Sequence, residues 1–175
     1  YPTLFESTYL FADNSQDILD KQDKFPDYKY HFGIAKIFKV MLMDYATALY
    51  GDVPYTEAFK NNIPAPKYDD DKVIIPALFK ELDEARAFLS AADGVELGSE
   101  DIIFHGDTAE WLKFLNTVEL KLVLRLSKTT DATLVALRTA RAALLTAAQN
   151  FVTADITSNP GYNSSDNSKR SPLYR

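Results

Sequence analysis

The chain has 175 residues, 46% of them hydrophobic and 25% charged, with a net charge of -6. That length suits one domain with a core that needs no staples, and the acidic balance argues against a nucleic-acid partner, which calls for a clustered basic surface. Cysteine is absent, which excludes disulfides, zinc–thiolate sites, iron–sulfur clusters and thiol nucleophiles, and no apolar run approaches the ~18 residues of a membrane-spanning helix.

Five helical stretches are predicted. The first covers Thr3 to Lys21, with an interruption expected at Asp13-Asn14-Ser15 and a stop at Asp23-Lys24-Phe25-Pro26-Asp27. The second runs from Tyr30 to Tyr50. Its apolar residues Ile34, Ile37, Phe38, Met41, Tyr45, Ala48 and Leu49 recur at three- and four-residue steps, which places them on one face. Gly51 is suited to end this helix as a left-handed cap, and Pro54 keeps it from resuming. The connection from Gly51 to Asp71 contains Pro54, Pro64 and Pro66 and reads as turns or extended chain.

A third helix covers Lys72 to Ala91, with Ile75, Leu78, Leu82, Ala85 and Leu89 as its stripe. Pro76 fits only the first turn or so, which leaves the start open. Asp69, Asp70 and Asp71 read as caps favoured by the positive end of the helix dipole. After a loop from Asp93 to Gly106, Asp107-Thr108-Ala109-Glu110 has capping-box spacing. Trp111, Leu115, Val118, Leu122 and Leu126 then mark a fourth helix. Asp131 caps a fifth, striped by Leu134, Leu137, Ala140, Leu144 and Ala148, and the short Ser127–Asp131 connection makes these two an antiparallel hairpin. The expected organisation is a helical core over residues 1–156 and a loop-like tail over 157–175 that continues into a further C-terminal region. The class is all-α, built from antiparallel helix pairs, compatible with a bundle or a helical repeat.

The residues offer little chemistry. His31 and His105 lack partners at metal-ligand spacing. Glu81, Asp83 and Glu84, with Lys80 and Arg86 nearby, read as a solvated charged face. Lys121 with Arg125, and Arg138 with Arg141, read as exposed helix charge or a partner surface. The Asp69–Asp71 run lacks the spacing of a calcium loop, and no nucleophile elbow, P-loop or dinucleotide fingerprint occurs. Trp111 lies on an apolar stripe and is assigned to the core, whereas Tyr68 is a loop aromatic free to meet a ligand. Asn163-Ser164-Ser165 matches a glycosylation triplet. No catalytic residue, metal or cofactor is expected.

Several strings, in order, carry a resemblance. Leu49-Tyr50-Gly51-Asp52-Val53-Pro54-Tyr55-Thr56-Glu57-Ala58 is similar to a signature of the SusD/RagB family, the nutrient-binding outer-membrane lipoproteins of Bacteroidetes. Lys67-Tyr68-Asp69 resembles the family's P-x-Y-D turn, and Leu82-Asp83-Glu84-Ala85 its L-x-x-A helix. Gly106-Asp107 followed by Trp111-Leu112-Lys113-Phe114-Leu115-Asn116 and Leu120–Ser127 resembles its GD…W-x-K-F-A-N…R-L-R-L helix, with Leu115 where the family has Ala. Ser171-Pro172-Leu173-Tyr174 resembles its NPLY segment.

The resemblance implies a tetratricopeptide-like helical core in a non-enzymatic surface protein. Such a protein captures oligosaccharides or peptides and partners a TonB-dependent, SusC-like transporter. Its membrane attachment would be a lipid anchor outside these residues. Tyr50, Gly51, Asp52, Val53, Pro54, Tyr55, Tyr68, Asp69, Trp111, Asn116 and Arg125 are then scaffold residues of the family motifs, and no ligand-binding residue carries over. The alternatives are a helical-repeat adaptor for protein partners and a glycan-processing enzyme using Glu81 or Glu84.

Overall fold

The chain forms α1 (Pro2–Leu19), α2 (Lys29–Tyr50), α3 (Asp71–Leu89), α4 (Thr108–Arg125) and α5 (Ala132–Ala148), with a 3-10 turn at Leu126–Lys128. This computed structural model describes residues 2–60, 62–148, 150–158 and 161–162. The glycosylation triplet at 163–165, the Ser171–Tyr174 string and most of the 157–175 tail lie outside the described residues. Among the described residues the fold is all-α, with neighbouring helices packed in the tetratricopeptide-like manner. Strand-like pairing is limited there to one bridge between Val53 and Asp69.

α2 is the central element and packs against both α1 and α3. This position explains why its buried surface is wider than the predicted stripe. Phe32, Ala35, Ile37, Val40, Met43 and Ala46 are buried, whereas Tyr45, Ala48 and Leu49 from the predicted face are exposed. α3 comes close enough that a Cβ on Gly33 would lie 2.8 Å from Leu89 Cγ and 3.1 Å from the Ala85 carbonyl oxygen. Gly33 therefore sets the α2–α3 spacing.

The expected interruption of α1 does not occur. Asp13 and Asn14 point outward, Ala12, Ser15 and Leu19 face inward, and the Ser15 hydroxyl donates to the Phe11 carbonyl. Burial of the inner stripe outweighs weak local propensity. α3 begins at Asp71 with Asp70 as its N-cap, whose carboxylate accepts from the Lys72 N–H at 2.8 Å. Pro76 consequently sits beyond the first turn, where the sequence reading does not place it, and leaves the Lys72 carbonyl without its helical donor. The buried hydrophobic surface on both sides, with Ile74, Ile75, Leu78 and Phe79 all buried, outweighs that defect.

Asp107 caps α4 through the Ala109 and Glu110 N–H groups, while Glu110 pairs with Lys113 rather than closing a reciprocal box. Asp131 caps α5 through the Thr133 and Leu134 N–H groups. Only Leu134 and Leu145 of α5 are buried, while Ala140, Leu144 and Ala148 are exposed. Among the described elements this helix packs only against α3, α4 and the 3-10 turn.

Candidate functional site

The segment from Gly51 to Asp70 packs against Tyr9 of α1 and Lys39 of α2 and carries the densest set of motif residues. Gly51 closes α2 by donating its N–H to the Thr47 carbonyl at 3.0 Å. Its φ is positive, 75°, but ψ is -120°, so it turns the chain through a region reserved for glycine rather than through the left-handed helical well expected from sequence. Val53 is fully buried, and its backbone exchanges two hydrogen bonds with Asp69, at 3.0 and 3.3 Å. The Pro54 carbonyl accepts from the Tyr9 hydroxyl at 2.6 Å, which ties the loop to α1.

Asp69 is the clamp. The sequence reading treats it as a helix cap, but its side chain turns back into the loop and is only 5% exposed. It accepts from the Tyr55 N–H at 3.1 Å, the Thr56 N–H at 2.7 Å and the Thr56 hydroxyl at 2.9 Å. Burial opposes its ionisation, yet the Thr56 and Tyr55 hydrogen bonds and the charge of Lys67 outweigh that and hold the carboxyl below its ordinary range. Asp70, one residue on, does the capping. Tyr50 and Asp52 lie at the exposed rim, with Tyr50 edge-on to Phe5 at 5.2 Å, and Tyr68 is 65% exposed.

Ion pairs that sequence alone assigns to solvent hold the helices together. Lys36 and Lys39, both buried on α2, meet Glu81 of α3, and Lys36 also meets Glu84 at 2.7 Å. These acids are thus an interhelical seam rather than a solvated face. Asp44 is buried on α2 and paired with Arg125 and with Lys121 at 3.0 Å, so half-buried Arg125 serves a buried acid, while Lys121 remains an exposed helix charge. A further buried carboxylate, Glu119, is held by Arg86 at 2.6 Å, and Arg141 reaches Asp83 at 2.5 Å while lying over the Phe79 ring. Arg138 donates to the Leu126 and Ser127 carbonyls.

Asn116 bridges this group, accepting from Arg86 and donating to the Asn150 carbonyl, each at 2.7 Å. Trp111 is in the core, and its indole N–H donates to Asp101 at 2.9 Å. Asp101 also gathers the Ile103, Phe104 and Gly106 N–H groups. Nothing in the sequence pattern marks it out from other loop acids.

Several surface depressions adjoin this scaffold among the described residues, including two that border α1 and α2. One is an apolar groove of about 520 Å³ lined by Phe11, Phe38, Met41, Leu42, Tyr45 and Lys121. The other is a mixed polar and aromatic cleft of about 430 Å³ between α1, α2, α3 and the loop, where Lys39, Glu81, Tyr55 and Phe59 meet. Tyr55 is raised above the usual tyrosine range, first by burial and then by the charges of Glu81 and Glu84. Burial opposes the charge on Glu81, but Lys39 and Lys36 hold its carboxyl below its ordinary value. The lysines thus favour the ionised form of Glu81, and burial favours the neutral form of Tyr55. His31 lies 3.2 Å from Glu100 across the fold and His105 is an exposed loop residue. Among the described residues no three histidine, aspartate or glutamate side chains converge in a way that could hold a metal.

Comparison with known proteins places this architecture. No curated protein matches the chain. Among solved structures it is similar to a chitin-binding protein, with 33% identity and a TM-score of 0.69 over 87% of this chain and 32% of that one. It is similar to a chitin-binding SusD homolog from Flavobacterium johnsoniae, with 28% identity and a TM-score of 0.67 over 79% of this chain and 28% of that one. It also shares the fold of a SusD/RagB family protein from Bacteroides thetaiotaomicron, with 20% identity and a TM-score of 0.71 over 86% and 31% of the two chains. The chain thus spans about a third of the length of these relatives. Residues 3–174 match the SusD-like_2 family, described as starch-binding associating with outer membrane, and the chain belongs to that family.

Proposed function

We propose that this protein is a non-catalytic glycan-binding component of a bacterial outer-membrane uptake system, acting at the cell surface beside a TonB-dependent transporter. The observation that carries the reading is the family match across residues 3–174, joined by likeness to two chitin-binding proteins. The geometry supports binding over catalysis. The buried acids Asp44, Asp69 and Glu119 are each committed to cations or backbone N–H groups, Glu81 is locked between two lysines, and Glu84 pairs with Lys36 and Lys80. The glycan-processing alternative needs a carboxyl free to give or take a proton, and these are not.

In this reading Tyr50, Gly51, Asp52, Val53, Pro54, Tyr55, Tyr68, Asp69, Trp111, Asn116 and Arg125 act mainly as scaffold. No helix of the described residues is long and apolar enough to cross a membrane. Native gels cast with soluble starch or with glycol chitin test the binding. Retarded migration in either gel, with no reducing sugar released, is the expected result. Unretarded migration in both, or sugar release, overturns it. Recovery of an outer-membrane transporter on affinity capture from the parent membrane supports the partnership, and recovery of soluble partners alone favours the adaptor reading.

A further inference from the structure

We propose that the cleft between the motif loop and the α1–α2–α3 surface is a sugar subsite that takes one neutral pyranose unit of a longer glycan. The proposal rests on the glycan-binding reading above and assigns part of that binding to this helical segment. The cleft encloses about 430 Å³, within the size range of small-molecule sites. Its wall combines aromatic faces with hydrogen-bonding groups. Tyr55 and Phe59 flank Lys39, their ring centroids 5.8 and 5.7 Å from Nζ, and Gln16, Thr56 and Glu81 complete the lining. A pyranose presents an apolar C–H face edged by hydroxyls, which is the complement of such a wall.

Two further observations favour a ligand here. Lys39 is 9% exposed and donates to Gln16 Oε1 at 2.8 Å and to Glu81 Oε1 at 3.1 Å. An ammonium has three N–H donors, so among the described residues the third is left to the Tyr55 and Phe59 rings beside it and can turn to a ligand oxygen in the cleft. Phe59 is held at φ 61°, a left-handed conformation that bulky side chains rarely adopt. The Tyr9 ring stacks on it at 5.8 Å and fixes it in place. Strain of this kind gathers at ligand sites, where a specific side chain is needed in a position its backbone resists. The cleft's charges balance, Lys39 and Lys60 against Asp20 and Glu81, which favours a neutral sugar over a phosphate or a uronate.

Hydrogen–deuterium exchange of the wild-type protein with maltohexaose and with chitohexaose tests the placement, because it needs no variant to fold. Protection of residues 55–60 and 16–20 is expected with at least one of the two. Phe59→Asn removes the ring and suits the left-handed backbone, and Lys39→Met removes the donor. Each is expected to weaken binding about tenfold, the equivalent of one lost stacking or hydrogen-bonding contact. Wild-type protein that binds either sugar without protecting 55–60, or folded F59N that binds with wild-type affinity, overturns the subsite and leaves the glycan-binding reading standing. Wild-type protein that binds neither overturns both.

Discussion

Replacing Asp69 by alanine tests the clamp that organises the motif loop. The substitution removes the acceptor for the Tyr55 and Thr56 N–H groups and for the Thr56 hydroxyl. Hydrogen bonds to a charged group are worth about 1.5–3 kcal/mol each, and buried donors left unpaired carry their own penalty. Thr56 is exposed, so water recovers part of the loss, and the expected net cost is about 3 kcal/mol. For a chain of this size 1 kcal/mol moves Tm by about 2–4 °C, so D69A should melt about 6–12 °C below wild type. Asp69→Asn keeps one acceptor oxygen and should fall between the two.

The pH dependence gives the sign. The folded-state carboxyl is held below its ordinary value. Its contribution is therefore complete above the unfolded pKa of about 3.9 and is lost as pH falls through the folded value. Calorimetric scans of wild type and D69A should show a full gap at pH 7 that narrows below about pH 4. A D69A Tm within about 2 °C of wild type at pH 7, or a gap that widens in acid, would refute the clamp.

Gly51→Ala should cost about 1–3 kcal/mol, all of it conformational, because nothing lies within 4 Å of the added Cβ; an unchanged melting temperature would contradict the turn described. Arg125→Met leaves buried Asp44 with only Lys121 and should cost about 3 kcal/mol in a urea titration. Adding Asp44→Asn should recover part of that loss, and no recovery would mean that Arg125 acts through packing instead. Pro76→Ala returns a donor to the Lys72 carbonyl and should stabilise by about 1 kcal/mol; a lower Tm would show that the half-buried ring contributes more than the missing bond.

Periodicity located every helix, and the caps at Asp70, Asp107 and Asp131 follow from residue type and position, because a cap is a local interaction within three residues. Faces were harder. Tyr45 and Leu49 share a three–four repeat with buried neighbours but end up exposed, since burial on α2 depends on which helices flank it. Charges were the least legible. Glu81, Asp44 and Glu119 look like any helix-surface acids, and their partners lie 22 to 81 positions away in sequence. Asp69 illustrates the same limit at one residue. An Asp-Asp-Asp run before a helix signals capping, and only the return of the loop decides that the first of the three faces Thr56. The cleft at Lys39 draws on α1, α2, α3 and the loop, so no contiguous string announces it. Phe59 gave no cue at all, because a left-handed phenylalanine is a tertiary outcome.

In the proposed function the protein binds glycan without altering it. Titration calorimetry with maltohexaose and with chitohexaose, followed by chromatography of the recovered sugar, tests this most directly. Saturable heat with at least one oligosaccharide, and its recovery intact after prolonged incubation, is the predicted result. No heat with either sugar, or shortened oligosaccharides in the recovered fraction, would contradict the account.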